Sequence, residues 1–181
     1  TYDPQNVDFW GIVGLLHDLD WEKWPDAVHH TEKTAELLSE AGANPALAHS
    51  IQTRNCDQND ELSKPEHVME KWLYAVDELS GLIQAVAKMR PSKSVTDMEL
   101  KSLKKKFKSK GFAAGCNRDI IREGAELLGL ELDELFAQTL EAMKAIAPVG
   151  DIYAQPEEPA DELAEVPQIP QEGLYIEPLA G

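Results

Sequence analysis

Apolar residues recur along most of this chain at intervals of three and four, the spacing of a helix that buries one face. The longest such stripe comprises Val68, Trp72, Val76, Leu79, Ile83 and Val86. A second comprises Leu132, Leu135, Phe136, Leu140, Met143 and Ile146. No stretch of the sequence shows a convincing strand-like alternation of apolar and polar residues. The pattern therefore predicts an all-α, multi-helix single domain.

The ends of the predicted helices follow from capping residues, glycines and prolines. Starts are predicted at Asn44-Pro45, Ser63-Lys64-Pro65, the capping-box sequence Thr96-Asp97-Met98-Glu99 and Asn117. Ends are predicted at Gly42, Arg90-Pro91, Gly111, Gly129 and Pro148. The apolar run from Trp10 to Leu16 leads directly into the dipeptide His17-Asp18.

Composition narrows the class of protein. The 181 residues include 33 acidic and 17 basic side chains, a formal charge of −16. Such a charge repels polyanions and argues against general binding to nucleic acid or to an anionic membrane surface. No apolar run is long enough to span a bilayer. The two cysteines, without a CxxC motif, favour neither a disulfide scaffold nor a thiolate zinc site, and we expect a cytoplasmic protein.

The end of the chain has its own composition. Residues 148–181 hold eight of the acidic residues, six prolines and no lysine or arginine. We therefore predict a helical domain over residues 1–147 and an irregular acidic, proline-rich tail after it. The composition favours a solvated, disordered tail. Its apolar residues also fit an extended segment packed on the body or on a neighbouring subunit of a homo-oligomer, and the sequence leaves these alternatives open.

Polar residues with the chemistry of metal ligands stand in apolar surroundings. His17 and Asp18 end an apolar helix, and Asp77 lies inside the longest apolar stripe. Burying such groups without partners costs roughly several kcal/mol of folding free energy, and a bound cation offsets that cost. His30 and His49 lie on two further predicted helices and can complete a helical metal centre. Imidazole and carboxylate ligands suit Mn, Fe, Co, Ni or Zn, as one ion or two.

Each of these positions also has a simpler interpretation. His17 and Asp18 could form a hydrogen-bonded pair at a helix end, and Asp77 a buried salt bridge. The two later histidines could lie on ordinary polar helix faces, and His29 could take the place of its neighbour His30.

Several segments resemble a known family. Gly14-Leu15-Leu16-His17-Asp18-Leu19-Asp20 resembles the signature of the HD-domain superfamily of metal-dependent phosphohydrolases. Tyr74-Ala75-Val76-Asp77-Glu78-Leu79 resembles the helix with that superfamily's closing Asp. The body is similar to a bacterial branch of predicted HD hydrolases through Arg90-Pro91-Ser92-Lys93-Ser94, Lys101-Ser102-Leu103-Lys104-Lys105-Lys106-Phe107 and Phe112-Ala113-Ala114-Gly115.

The resemblance implies a set of ligands. His17, Asp18 and Asp77 match the ligands of the first metal, and His30 and His49 match the two histidines that two-metal branches add. The Asp of the HD pair, Asp18, would then bridge both ions. One departure stands out, because the superfamily begins with an upstream histidine and none precedes His17. Since the chain also begins without Met, we expect an N-terminal truncation, or a ligand from another residue or a neighbouring chain.

The resemblance also implies a reaction. We expect hydrolysis of a phosphomonoester or phosphodiester of a small, nucleotide-like molecule by metal-activated water, with Asp18 at the centre. Asp20 would orient a ligand or accept a proton. Arg90 and Lys93, at the end of the Asp77 helix, would contact the phosphate and stabilise its developing charge.

Two observations keep another class of protein open. The missing histidine and the acidic tail suit a non-catalytic helical module that binds a phosphorylated ligand or a protein partner. Nine of the 17 basic residues lie between positions 88 and 110, where they fit either local phosphate attraction or a solvated helix face.

Overall fold

A computed structural model of the protein describes residues 2–25, 30–59 and 61–150, the last three by their backbone alone. Within these ranges the fold is all-α, as predicted. The helices are α1 (Val7–Leu16), α2 (Glu32–Glu40), α3 (Pro45–Gln52), α4 (Val68–Lys88), α5 (Leu100–Lys108), α6 (Arg118–Leu128) and α7 (Leu132–Gly150), with a 3₁₀ turn at Thr53–Asn55. The alternative ligand His29 and residues 151–181 of the predicted tail lie outside the described residues.

Local sequence accounts for several helix ends. The side-chain oxygen of Asn44 accepts a hydrogen bond from the Ala46 amide at 2.9 Å, and that of Asn117 accepts from the Asp119 amide at 3.1 Å. Each bond satisfies one of the amides that a helix start leaves without a partner. Gly129 ends α6 with φ of 67°, a conformation that costs glycine little. These boundaries confirm the predictions.

The predicted starts of α4 and α5 were wrong. The long helix begins at Val68 because the capping box forms at His67, whose backbone amide donates to the carboxylate of Glu70 at 3.0 Å. Helix α5 begins only at Leu100, and Glu99 at its start makes no side-chain cap. Thr96 hydrogen-bonds with Ser94 instead, so the predicted box does not form.

The prediction that Pro148 ends the last helix was also wrong, because α7 continues to Gly150. Proline has its φ fixed near −65°, a value compatible with a helix, and it loses one hydrogen bond there. The helix therefore crosses the predicted boundary between residues 147 and 148, and the division into body and tail stays a prediction.

Two apolar clusters form the core, and α4 contributes to both. The larger one joins α4 to α5, α6 and α7, with Leu79, Leu103, Ile121 and Leu135 fully buried. The smaller one joins α1, α2 and α3 around Val13 and Ile51, and Met69 and Leu73 of α4 pack against it. The first half of α4 thus connects the two clusters. No helix in the described ranges is both long and apolar enough to cross a membrane.

Helices α4 and α6 approach each other most closely at a glycine. A Cβ atom added to Gly124 would lie 2.5 Å from the Cα atom of Ala75 and 2.6 Å from its Cβ atom. Only a residue without a side chain fits this crossing, which fixes α6 against the helix that carries Asp77.

Candidate functional site

The end of α1 and the middle of α4 bring three of the predicted residues together. His17 and Asp18 directly follow α1. Asp77 lies on α4, one helical turn after Leu73, which packs against the smaller cluster. The Nε2 atom of His17 is 3.4 Å from Asp18 Oδ2 and 3.5 Å from Asp77 Oδ1. Its Nδ1 atom lies 2.6 Å from the carbonyl oxygen of Gly14, which fixes the ring.

His30 approaches the same group from the other side. Its side chain is 4% exposed, and its Nε2 atom lies 3.2 Å from Asp18 Oδ1. Asp18 therefore lies between two imidazoles, one facing each of its carboxylate oxygens. The structure thus brings together four of the five predicted metal ligands.

Asp20 holds His30 in place. Its carboxylate is fully buried and lies 2.6 Å from His30 Nδ1. It also accepts hydrogen bonds from the backbone amides of Thr31 at 2.7 Å and Thr34 at 3.1 Å, at the start of α2. Since a carboxylate can only accept, His30 Nδ1 donates and Nε2 is directed to Asp18. Asp20 was expected either to orient a ligand or to accept a proton. The geometry fits the first role, because Asp20 orients the ring of His30.

The residue between these groups, Thr31, has an unusual conformation. Its φ is 73°, in the left-handed region that β-branched residues rarely adopt. Its hydroxyl is buried without a hydrogen-bond partner. Such a backbone costs on the order of 1–3 kcal/mol and persists only where the surroundings impose it. Here the hydrogen bond from the Thr31 backbone amide to the Asp20 carboxylate holds this conformation.

Arg54, which the sequence analysis did not select, lies at the centre of the cluster. It belongs to the 3₁₀ turn after α3 and is 9% exposed. Its Nη1 donates to Asp77 and its Nη2 to Asp18, and Nη2 also contacts His30 Nε2. A signal existed in the sequence, because Leu47, Ile51 and Arg54 share one helical spacing. A charged residue that continues an apolar stripe is the same signal that selected Asp77.

These neighbours change the ionisation of the cluster. Burial by itself raises the pKa of Asp18, but the contact with His30 and the charge of Arg54 outweigh it and lower the pKa to about 2. Asp18 is therefore an anion at neutral pH. The hydrogen bond to Asp77 raises the pKa of His17 above its usual value against the opposing effect of burial.

The cluster forms one wall of an open cavity of about 670 Å³. Trp21 supplies exposed aromatic surface, and Asp57 and Glu78 add two further carboxylates. The Trp21 ring meets the His30 ring edge-on, with centroids 4.8 Å apart. A ligand that enters this cavity reaches the cluster and aromatic rings together.

Three predicted residues are not brought to the cluster. His49 is 55% exposed, and its Nε2 lies 3.9 Å from the carboxylate of Glu70. It projects from a different side of α3 than the buried Leu47 and Ile51, so Arg54 reaches the cluster and His49 does not. The expected place of His49 as a second-metal ligand therefore finds no support in the geometry.

Arg90 and Lys93 are engaged at the far end of α4. Arg90 Nη2 lies 2.8 Å from the Asp97 carboxylate, and Lys93 Nζ donates to the carbonyl oxygen of Lys88 at 2.9 Å. Helix α4 carries this end about 16 Å beyond Asp77, for eleven residues at about 1.5 Å each. Neither residue lines the cavity, so the expected phosphate contacts are not present there.

The described residues contain no preformed site for the expected metal. Across residues 2–25, 30–59 and 61–150, no group of three or more His, Cys, Asp or Glu side chains is arranged to hold an ion. The cation that the structure places between Asp18 and Asp77 is the guanidinium of Arg54. The His30 side of Asp18 is therefore filled by a protein group.

Comparison of the chain with protein-family models, curated proteins and solved structures found no match.

Proposed function

We propose that this protein is a metal-dependent phosphohydrolase of the HD type, which cleaves a phosphomonoester or phosphodiester of a small, nucleotide-like molecule. The observation that carries the proposal is the meeting of His17 and Asp18, just after α1, with Asp77 of α4, where the two carboxylates line an open cavity. Charged groups converge at such a place more readily when a cation balances them.

The spacing of the donor atoms supports one ion on the His17 side. The three side chains do not form a closed site as they stand. However, His17 Nε2 is separated from the two carboxylate oxygens by 3.4 and 3.5 Å. Two ligands of one tetrahedral ion, with bonds of about 2.1 Å, are separated by about 3.4 Å. The donor set of one imidazole and two carboxylates also suits Mn, Fe, Co, Ni or Zn.

The residues around this position have roles in the reaction. A divalent ion held by His17, Asp18 and Asp77 would supply water of lowered pKa. The proton that this water releases would pass to solvent, while His30, oriented by Asp20, holds Asp18 from the side opposite to His17. In the reaction, a water oxygen would bond to phosphorus as the bond from phosphorus to the leaving oxygen breaks, and the leaving oxygen would take a proton from solvent. Trp21, which is 44% exposed, provides ring surface for a base or another flat group.

A nucleotide panel tests the proposal. The full chain is loaded with Mn²⁺, Co²⁺ or Ni²⁺ and assayed for release of phosphate from mononucleotides and cleavage of phosphodiesters. We expect turnover that Asp77→Asn abolishes and that His49→Gln, outside the cluster, leaves unchanged. Failure of every metal-loaded sample to cleave any member of the panel would contradict the proposal.

A second candidate function rests on Arg54. Its guanidinium already pairs with both carboxylates, which suits a non-catalytic module that binds a phosphorylated ligand or a protein partner. Calorimetric titration with Mn²⁺ separates the two candidates. Absence of metal binding, together with binding of a nucleotide in the presence of a chelator, would favour the module.

A further inference from the structure

The cluster contains a buried positive charge, the guanidinium of Arg54. Arg54 contacts Asp18, Asp77 and His30 and is 9% exposed. Its Nε atom is buried without a hydrogen-bond partner, so the position is set by the two carboxylates rather than by a complete set of bonds to the guanidinium. Two carboxylates and an imidazole are also the ligand types of a divalent ion.

The two carboxylates divide their oxygen atoms between two sides. Asp18 Oδ2 and Asp77 Oδ1 face His17, at 3.4 and 3.5 Å from its Nε2. Asp18 Oδ1 and Asp77 Oδ2 face Arg54, with His30 on the same side. The cluster therefore has two positions for a cation, related by the shared carboxylates, and the guanidinium takes the one beside His30.

Charge balance points to a single additional cation. Among the side chains in direct contact with His17, His30 or Arg54 in this cluster, Asp18, Asp20 and Asp77 contribute a formal charge of −3 and Arg54 contributes +1, and the sum of −2 equals the charge that one divalent ion neutralises. A second divalent ion would leave the partly buried cluster with an excess of +2. Uncompensated charge in such surroundings is strongly unfavourable.

We propose that Arg54 takes the place of a second metal ion, so that the site accepts one divalent ion on the His17 side and uses a fixed guanidinium on the His30 side. The inference rests on the metal site of the proposed function and deepens it. It makes Arg54 the residue that sets the number of ions, with Asp18 as the bridge between an exchangeable cation and a permanent one.

Metal stoichiometry tests the inference. Wild-type chain, Arg54→His and the control His49→Gln are equilibrated with saturating Mn²⁺, freed of unbound ion and measured by elemental analysis. We expect one ion per chain in the wild type and in His49→Gln. We expect two in Arg54→His, because a neutral imidazole joins His30, Asp18 and Asp77 as a ligand set.

Electron paramagnetic resonance adds a readout independent of turnover. Two Mn²⁺ ions bridged by Asp18 in Arg54→His give a spin-coupled spectrum, whereas the wild type gives the spectrum of an isolated ion. Arg54→Gln, which removes the charge without adding a strong ligand, serves if Arg54→His does not fold. It is expected to bind Mn²⁺ at the His17 side more tightly than the wild type does.

Each result has one meaning. Two ions per wild-type chain, or none, would overturn the inference, as would a single ion in a folded Arg54→His. Weaker Mn²⁺ binding by Arg54→Gln would do the same. Turnover measured on the same samples separates this inference from the proposed function. One ion without hydrolysis contradicts only the reaction, and two ions with hydrolysis contradict only the role of Arg54.

Discussion

Asp20 is the most enclosed carboxylate of the site, and its three hydrogen bonds fix both His30 and the start of α2. The variant Asp20→Asn replaces an acceptor-only group by one that also presents N–H donors to N–H donors. We expect it to lower the free energy of unfolding by about 2–4 kcal/mol, since loss of a charged acceptor leaves buried donors unsatisfied. Urea unfolding followed by circular dichroism measures the change.

Glu141→Gln is the control for that measurement, because Glu141 is 70% exposed and forms a surface ion pair with Lys144, one helical turn away. We expect its free energy of unfolding to stay within about 0.5 kcal/mol of the wild type. Equal stability of Asp20→Asn and this control would refute the structural role assigned to Asp20.

The ion pair of Arg90 with Asp97 gives a prediction of pH dependence. The hydrogen bond from Arg90, followed by that from Ser92, lowers the pKa of Asp97 from its ordinary 3.8 to about 2. Because the folded-state pKa is depressed, the stabilising contribution is present above about pH 4 and is lost as the pH falls towards 2. In Arg90→Gln we expect the Asp97 pKa to rise towards 3.8, as measured by carboxyl carbon NMR. A pKa that stays near 2 would contradict this assignment.

Sequence patterns identified some residues of the site and missed another for a physical reason. His17, Asp18 and Asp77 stand out because each is polar in an apolar run. His49 was selected because imidazole is a common metal ligand, and Arg54 was passed over because a guanidinium is not one. Arg54 follows the same helical spacing as the buried Leu47 and Ile51, and only the fold shows that this side of α3 leads to Asp18 and Asp77.

At the scale of elements, Gly124 controls how α6 packs against α4. Gly124→Ala adds a methyl group 2.5 Å from the Ala75 Cα atom, a backbone atom that cannot move by itself. Overpacking of this kind costs about 1–3 kcal/mol and outweighs the gain of up to about 1 kcal/mol in helix propensity. We expect a net loss of stability, measured by thermal or urea unfolding.

Gly11→Ala on α1 is the matched control, because nothing lies within 4 Å of the added methyl group. There the propensity term acts alone, and we expect a gain of about 0.5–1 kcal/mol. The two substitutions should therefore change stability in opposite directions. A stabilised Gly124→Ala would show that the two helices separate without cost.

The existence and type of the helices followed from the sequence, but several of their ends did not. Periodic apolar residues report which face of a segment is buried, and this holds for α4 and α7 alike. A helix start depends instead on which polar side chains hydrogen-bond to the free backbone amides. At the start of α4, His67 and Glu70 form these bonds, whereas Thr96 and Asp97 form hydrogen bonds outside α5.

At the scale of the whole molecule, α4 links the two apolar clusters, so we expect them to unfold together. Trp10 is buried in the smaller cluster and Trp72 packs against the larger one, so tryptophan fluorescence is recorded in Trp72→Phe, where Trp10 is the buried reporter of the smaller cluster. Far-UV circular dichroism instead reports all the helices. The two signals should give coincident urea transitions, as two-state behaviour requires. A fluorescence transition at lower urea would show that α1, α2 and α3 unfold independently.

Thr31, in the turn before α2, destabilises the fold through its left-handed backbone and its buried hydroxyl. A glycine there adopts a φ of 73° without steric cost and carries no hydroxyl to bury. Thr31→Gly should therefore raise the melting temperature, and a lowered one would contradict this account. The threonine therefore lowers the thermal stability of the protein at a position next to His30, whose imidazole Asp20 orients. This makes position 31 a first target for engineering a more thermostable variant.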